Sequence, residues 1–298
     1  MLRLAEWVMR GRWQACLFVL LGLATSPLIW FNNLLVAAVI ALVWLRQGLH
    51  EGLLILGFTV LPASILAVTT DSFMPLLLAL TISIAAWTLR ETRSWSGSLL
   101  AICTCGLFAA IFLQQFADTQ LHSYVDLYAQ FLSDLKQQVA KNSGGEQAEL
   151  HSLLPQAIEI PFVAGLFGSM TVICSFLSLS LARSWQAKLY NPNGFQQEFH
   201  ALRAGKTEVI MAVLLTGLFY QLGLQYLTWV WIALFPLLVA GIALFHAVAF
   251  KKKVALPLYG VFYVVLTFWD PLKILLVLLA IADSGMNFRE KITAPPAD

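Results

Sequence analysis

The chain has 298 residues, of which 59% are hydrophobic and only 11% are charged. Soluble domains have roughly 45–50% apolar and about 25% charged residues, so this composition excludes a water-covered globule and predicts a surface that faces the lipid bilayer. The formal net charge of +2 is too small to indicate a nucleic-acid partner.

Ten apolar segments, bounded by charged or turn residues, follow one another along the chain. They lie at about 13–30, 33–46, 51–70, 73–89, 96–115, 158–182, 207–225, 227–249, 254–269 and 271–283. A helix needs about 20 residues to cross the hydrocarbon core, so whether 33–46, 254–269 and 271–283 cross it fully stays open. The pattern predicts an all-α polytopic transmembrane helical bundle of about 10 segments, within a range of about 8–10.

The first apolar segment resembles a secretory signal, because Arg3, Arg10 and Arg12 precede it. We expect an uncleaved helix, since the apolar run continues beyond the small residues 24–26 to Trp30.

The 18 Lys and Arg residues indicate the orientation. With the N-terminus inside, nearly all of them fall in cytoplasmic stretches, whereas Lys136 and Lys141 fall in the outer loop and Lys273 within a segment. The positive-inside rule then places both termini in the cytoplasm. We expect a multi-pass protein of the bacterial cytoplasmic (inner) membrane.

The segments predict three parts of the chain. A first bundle half at 1–115 precedes an extracytoplasmic loop at 116–157, and a second half follows at 158–298, with a cytoplasmic loop at 183–206. In the outer loop, apolar residues recur at helical spacing, which predicts an amphipathic helix over about 121–139. It either lies on the membrane or the bundle, or acts as a lid or docking surface.

The inner loop carries Glu198 and Arg203 as candidate functional residues. The turn signal at 191–194 precedes a short helix predicted at about 196–202. The loop is either an ordinary inside loop that sets topology or a coupling helix for a soluble partner.

Several short motifs resemble a known family. They are Asn191-Pro192-Asn193-Gly194-Phe195, then Glu198-Phe199 and Leu202-Arg203, and finally Asp283 with Asn287-Phe288-Arg289. This pattern is similar to that of the YybS-like family of bacterial integral membrane proteins. That family resembles the substrate-binding components of energy-coupling-factor transporters, which implies small-molecule capture within a helical bundle. The chain has more segments than those components and a large outer helix that they lack.

No motif for catalysis or metal binding is visible. His50-Glu51 lacks the second histidine of a zinc helix, and the chain has no phosphate-binding loop. The four cysteines all lie in apolar stretches without a metal-ligand spacing. We expect no enzyme activity, no metal and no cofactor.

One segment carries a stripe of small and hydroxylated side chains. Its members are Ala164, Gly168, Thr171, Ser175, Ser178 and Ala182. Their spacing of three or four residues places them on one helix face, which predicts a helix-packing seam; the alternative is the lining of a polar pathway.

Ionisable groups at membrane depth are costly, so Asp270, Lys273 and Asp283 are candidate ligand or gating residues. Asp270 and Lys273 are close enough to pair on one helix. Alternatively, Asp270-Pro271 simply opens a helix and Lys273 reaches toward the headgroups.

Two functions fit these patterns. The first is a transporter-like component that binds or translocates a small molecule. The alternative is a non-catalytic interaction or assembly protein that docks a soluble or membrane partner through the outer helix and the inner loop. A polar cavity reached by several helices would favour the first, and a large apolar patch on the outer helix would favour the second.

Overall fold

The computed structural model describes residues 2–26, 28–29, 31–142 and 158–291. Within these ranges the chain is helical throughout, without strands, and forms 14 α-helices. In chain order they are α1 Leu2–Val8, α2 Arg12–Ala24, α3 Asn32–Gln47, α4 Leu49–Thr69, α5 Met74–Thr92, α6 Trp95–Phe116, α7 Asp118–Asn142, α8 Ile160–Tyr190, α9 Gly194–Ala201, α10 Lys206–Leu222, α11 Leu227–Lys251, α12 Leu256–Phe268, α13 Asp270–Met286 and α14 Phe288–Lys291.

The all-α prediction is confirmed, and every predicted apolar segment contains a helix. Among the described residues, five helices are long and apolar enough to cross a membrane, or six if α12 and α13 count as one bent span. Other apolar helices are shorter: α2 and α3, for example, have 13 and 16 residues. The expected total of about ten segments is therefore not confirmed, and the positions of the termini remain a prediction.

The centre of the bundle is built around α3, whose residues from Val36 to Leu45 are all buried. It packs against α5 and α8, while α8 also packs against α6 and α11. The contact between α6 and α8 is close because two glycines face each other: a Cβ added at Gly168 would lie 2.8 Å from the carbonyl oxygen of Gly106. Small residues thus allow these backbones to approach.

The bundle has two chemically different ends. At one end Arg12, which starts α2, forms an ion pair with Glu51, near the start of α4. Arg90 near the end of α5 donates hydrogen bonds to the last carbonyls of α3. We call this the basic end; α2, α4 and α6 run away from it to the opposite end, where α7 follows.

The last apolar helices, α12 and α13, meet at a bend of 105°. The chain enters α12 just after Lys251 and leaves α13 just before Arg289. Lys251 Nζ donates a hydrogen bond to the carbonyl oxygen of Arg289 at 2.6 Å, so the pair begins and ends at the basic end. The segments predicted at 254–269 and 271–283 thus form a bent hairpin, because Pro271 begins a new helix in a different direction.

One further difference concerns the regions outside the apolar segments. Helix α8 continues for 31 residues to Tyr190, so the first part of the predicted 183–206 loop is helical. Gln186 and Lys188 are polar, but their helix propensity is similar to that of Leu, so the helix continues beyond the apolar segment. Pro192 then prevents the helix from extending further. The predicted helices of the outer and inner loops are both present, as α7 and α9. The rest of the outer loop, 143–157, and Trp30 lie outside the described residues.

Candidate functional site

The small-residue stripe of α8 lies in the interior of the bundle. Ala164, Thr171 and Ser175 are fully buried, and Gly168 faces α6. Ser178 Oγ donates a hydrogen bond to the carbonyl oxygen of Leu34 on α3, at 3.0 Å. The stripe therefore contacts α6 at one level and α3 at another, which is the arrangement of a packing seam.

The Asp270–Lys273 pair lies at the bend between α12 and α13. Lys273 Nζ is 2.6 Å from Asp270 Oδ1, so the two side chains form an ion pair. The Asp270 side chain is 70% exposed, whereas Lys273 is 25% exposed and lines a small cavity of about 220 Å³ beside Trp231 and Thr228. The structure thus brings these two residues together, but it places Asp283 about three helical turns beyond Lys273, near the other end of α13.

Glu198 of α9 forms a compact cluster with α6 and α8. Its carboxylate accepts a hydrogen bond from Arg183 Nε at 2.9 Å and one from Trp95 Nε1 at 3.1 Å. Arg183 also donates to Gln186 Oε1 at 2.8 Å. Glu198 therefore attaches the short helix α9 to the basic end of the bundle.

Asp283 and Arg203 belong to a second cluster at the basic end. Asp283 is 2% exposed, accepts a hydrogen bond from the Phe288 backbone N–H at 2.8 Å and lies 3.5 Å from Arg289 Nε. Arg203 donates to the carbonyl oxygen of Ser284 at 2.7 Å. These contacts hold the end of α13 against the loop between α9 and α10, which is a structural task.

The end of the bundle opposite the basic end contains a polar cavity of about 370 Å³. Ser26, just after α2, and Asn33, in the first turn of α3, supply polar groups on one side. The α4–α5 link supplies residues 70–72, while Tyr124 of α7 and Cys174 of α8 complete the wall. Four parts of the chain that are distant in sequence therefore meet at this cavity.

Two polar atoms in the cavity wall have no hydrogen-bond partner within the described ranges. They are Ser26 Oγ and Asn33 Oδ1, whose residues are only 5% and 8% exposed. A buried polar group without a partner costs about 1–3 kcal/mol, so native proteins rarely keep one without a reason. Both residues line the cavity, so a polar group that enters it meets their side chains.

Asp71 is the one carboxylate among the residues that line this cavity. It adopts a left-handed backbone conformation, with φ of 52°, in the tight α4–α5 link. Its Oδ1 accepts a hydrogen bond from Gln120 Nε2 at 2.9 Å, which ties α7 to the link. The cavity therefore offers one negative charge beside hydroxyl and amide groups that both donate and accept hydrogen bonds, and the charge favours a neutral or cationic group over an anion.

An apolar groove of about 570 Å³ adjoins the polar cavity. One wall is α7, with Tyr124, Leu127 and Phe131, and the other is the first part of α8, with Phe167 and Met170. Tyr124 and Met170 line both the groove and the cavity. The two spaces thus form one amphipathic site, polar toward α3 and apolar along α7.

Comparison with known proteins gives a match over most of the chain. Residues 15–284 match the family described as "Predicted membrane protein (DUF2232)". The chain belongs to this family. No curated protein and no solved structure matches it.

Membership of the DUF2232 family confirms the coarser expectation, that this is a membrane protein. Among the described residues there is no group of three or more His, Cys, Asp or Glu side chains that could hold a metal ion. The amphipathic site was not predicted from the sequence. Asn33 lies at the start of the predicted segment 33–46, and nothing in the chain order indicated that it meets Tyr124 or Asp71.

Proposed function

We propose that this protein binds a small amphipathic molecule in the amphipathic site, as the binding component of a transport or translocation process. The polar part of the molecule enters the cavity beside Ser26 and Asn33, and its apolar part lies in the groove between α7 and α8. The observation that supports this most is the pair of buried, unpartnered polar atoms in a cavity that opens onto an apolar groove. No chemical step is part of the proposal.

The polar cavity restricts the chemistry of the ligand. Asn33 Oδ1 accepts hydrogen bonds, and Asp71 adds a negative charge. A hydroxyl, amide or ammonium group satisfies these acceptors, whereas a phosphate or carboxylate meets repulsion from Asp71. We therefore propose a head group that is neutral or cationic and donates hydrogen bonds.

The groove supports an apolar tail of the ligand. Leu127 and Phe131 are 63% and 59% exposed although they face the groove, and Tyr124 packs edge-on against Phe167 at 5.1 Å between ring centroids. A chain lying there removes these side chains from contact with solvent or headgroups, which stabilises the complex by about 25 cal/mol per Å² of apolar surface.

The orientation that we propose has the basic end in the cytoplasm of a bacterium, with the inner membrane around the bundle and the amphipathic site on the outer side. The clustering of Arg46, Arg90 and Arg183 at the basic end supports it through the positive-inside rule. The YybS-like resemblance, and through it a relation to vitamin-transporter binding components, agrees with small-molecule binding and remains part of the proposal.

The test is native mass spectrometry of the full chain extracted from its own membranes. We expect a bound small molecule on the wild type and on a Gln115→Leu control, which makes an amide-to-leucine change outside the cavity. Asn33→Leu should lose the molecule, because leucine occupies the polar end of the site without accepting a hydrogen bond. Equal occupancy in all three proteins contradicts the proposal.

Asn33→Leu also separates a binding role from a structural one. An unpartnered buried amide contributes nothing to folding, so the ligand-free variant should be at least as stable as the wild type. A large loss of stability shows instead that Asn33 serves the fold.

The second candidate function is an interaction protein that docks a partner on the exposed side of α7. The exposed residues Leu127 and Phe131 favour it, since a protein side chain fits the same groove. The absence of a small molecule, together with co-extraction of a protein that depends on Leu127, supports this second function.

A further inference from the structure

At the basic end, a second cavity of about 420 Å³ is lined by four arginines. They are Arg46 at the end of α3, Arg90 in α5, Arg93 just after α5, and Arg183 in α8. The positive-inside rule explains basic residues near this end, but it does not require them to converge on one cavity from separate helices.

The four guanidinium groups differ in how much of their hydrogen-bonding capacity is used. Arg183 is paired with Glu198, the one carboxylate in the lining, and Arg90 donates to the carbonyl oxygens of Trp44 and Leu45. Arg46 stacks over the Tyr190 ring at 4.2 Å, which leaves the edge of its guanidinium available. Among the described residues, neither the Arg46 nor the Arg93 side chain has a hydrogen bond or a carboxylate partner.

The backbone around this cavity positions the arginines. Gly48 has φ of 89°, which favours glycine, and a Cβ there would crowd the Arg90 guanidinium at 3.0 Å. Arg93 itself has a left-handed conformation, with φ of 53°, which turns the chain from α5 into α6. Arg46 and Arg93 are exposed at the rim of the cavity, whereas Arg90 and Arg183 are half-buried.

We propose that this cavity binds a phosphate group through Arg46 and Arg93. Four guanidinium groups and one carboxylate leave the lining strongly positive, and the planar guanidinium fork matches phosphate oxygens in pairs. The phosphate belongs to a lipid headgroup or to a soluble phosphate compound. The site lies at the opposite end from the amphipathic site, so the two proposals stand or fall separately.

The experiment measures the unfolding temperature of the full chain in two arms. In the first, protein in a neutral detergent receives inorganic phosphate or sodium chloride of equal ionic strength. In the second, protein in phosphatidylcholine nanodiscs is compared with protein in nanodiscs that also contain phosphatidylglycerol. Stabilisation by phosphate indicates a soluble ligand, and stabilisation only by phosphatidylglycerol indicates a lipid headgroup.

The variants assign the effect to the cavity. Arg46→Gln with Arg93→Gln should weaken the apparent affinity in the responding arm by at least about tenfold, because charged hydrogen bonds are lost. As a control, Lys252→Gln removes an exposed charge from the same end and should change the apparent affinity by less than about twofold. If the double variant does not fold, each single variant is measured. No response in either arm, or an equal response in the arginine variants, overturns the proposal.

Discussion

The Asp283 carboxylate lies 3.5 Å from the Arg289 guanidinium, and the two side chains are only 2% and 12% exposed. Asp283 also accepts the backbone N–H of Phe288, and Arg289 donates to the carbonyl oxygen of His200 at 2.8 Å. This buried pair therefore connects the end of α13 to α9, and it closes the bent hairpin at the basic end.

Asp283→Asn should destabilise the protein, because it leaves the Arg289 charge buried without its counter-ion. Breaking a buried pair in this way costs about 3–5 kcal/mol. Asp270→Asn makes the same chemical change in the same helix, but the Asp270 side chain is 70% exposed, so we expect a loss of less than about 1 kcal/mol. Equilibrium unfolding in mixed micelles measures both; equal losses would show that the Asp283 pair does not hold the hairpin.

Gly168→Ala should destabilise the contact between α6 and α8. The added Cβ meets the carbonyl oxygen of Gly106 at 2.8 Å and Ala110 Cβ at 2.9 Å, and neither backbone can move independently of its helix. Overpacking of this kind costs about 1–3 kcal/mol.

Gly217→Ala in α10 is the control for that change, since nothing lies within 4 Å of its added Cβ. Alanine there should leave stability unchanged or raise it by up to about 1 kcal/mol, because alanine favours helix. Similar results for the two substitutions in thermal unfolding would rule out a tight seam on α8.

His200 gives the basic end a dependence on pH. Burial, and secondarily the Arg289 charge, lower the pKa of the His200 imidazole in the folded protein. The unfolded chain then binds more protons, so stability is full above about pH 6.5 and falls as pH decreases through the lowered folded pKa.

His200→Asn should reduce the fall in unfolding temperature that occurs below about pH 6.5. A measurement at pH 8, where the imidazole is neutral, corrects for any change in packing. Parallel profiles below pH 6.5 for the variant and the wild type would exclude His200 as the source.

Much of the fold follows from local sequence. Apolar runs locate the helices, the 3.6-residue period reveals α7, and Asp270-Pro271 marks the start of α13. The extension of α8 to Tyr190 was missed, because a helix that leaves the membrane loses its apolar signal but not its helix propensity. The division of the chain at 1–115, 116–157 and 158–298 stays a prediction.

The candidate sites were less predictable, because they depend on which distant residues meet. The sequence singled out Glu198 but not its partners Arg183 and Trp95, and it gave no reason to select Asp71. Helix packing brings Ser26, Asn33 and Tyr124 to one cavity, and no spacing within a single segment encodes that arrangement.

The most direct test of the central claim places a photoreactive phenylalanine analogue at position 127, in the groove, in the full chain in living cells. Position 129, on the other side of α7, is the control. After irradiation and mass spectrometry, we predict an amphipathic small-molecule adduct at position 127 that disappears with Asn33→Leu and is absent at position 129. A crosslinked protein at position 127, or an adduct that Asn33→Leu leaves unchanged, would contradict small-molecule binding at this site.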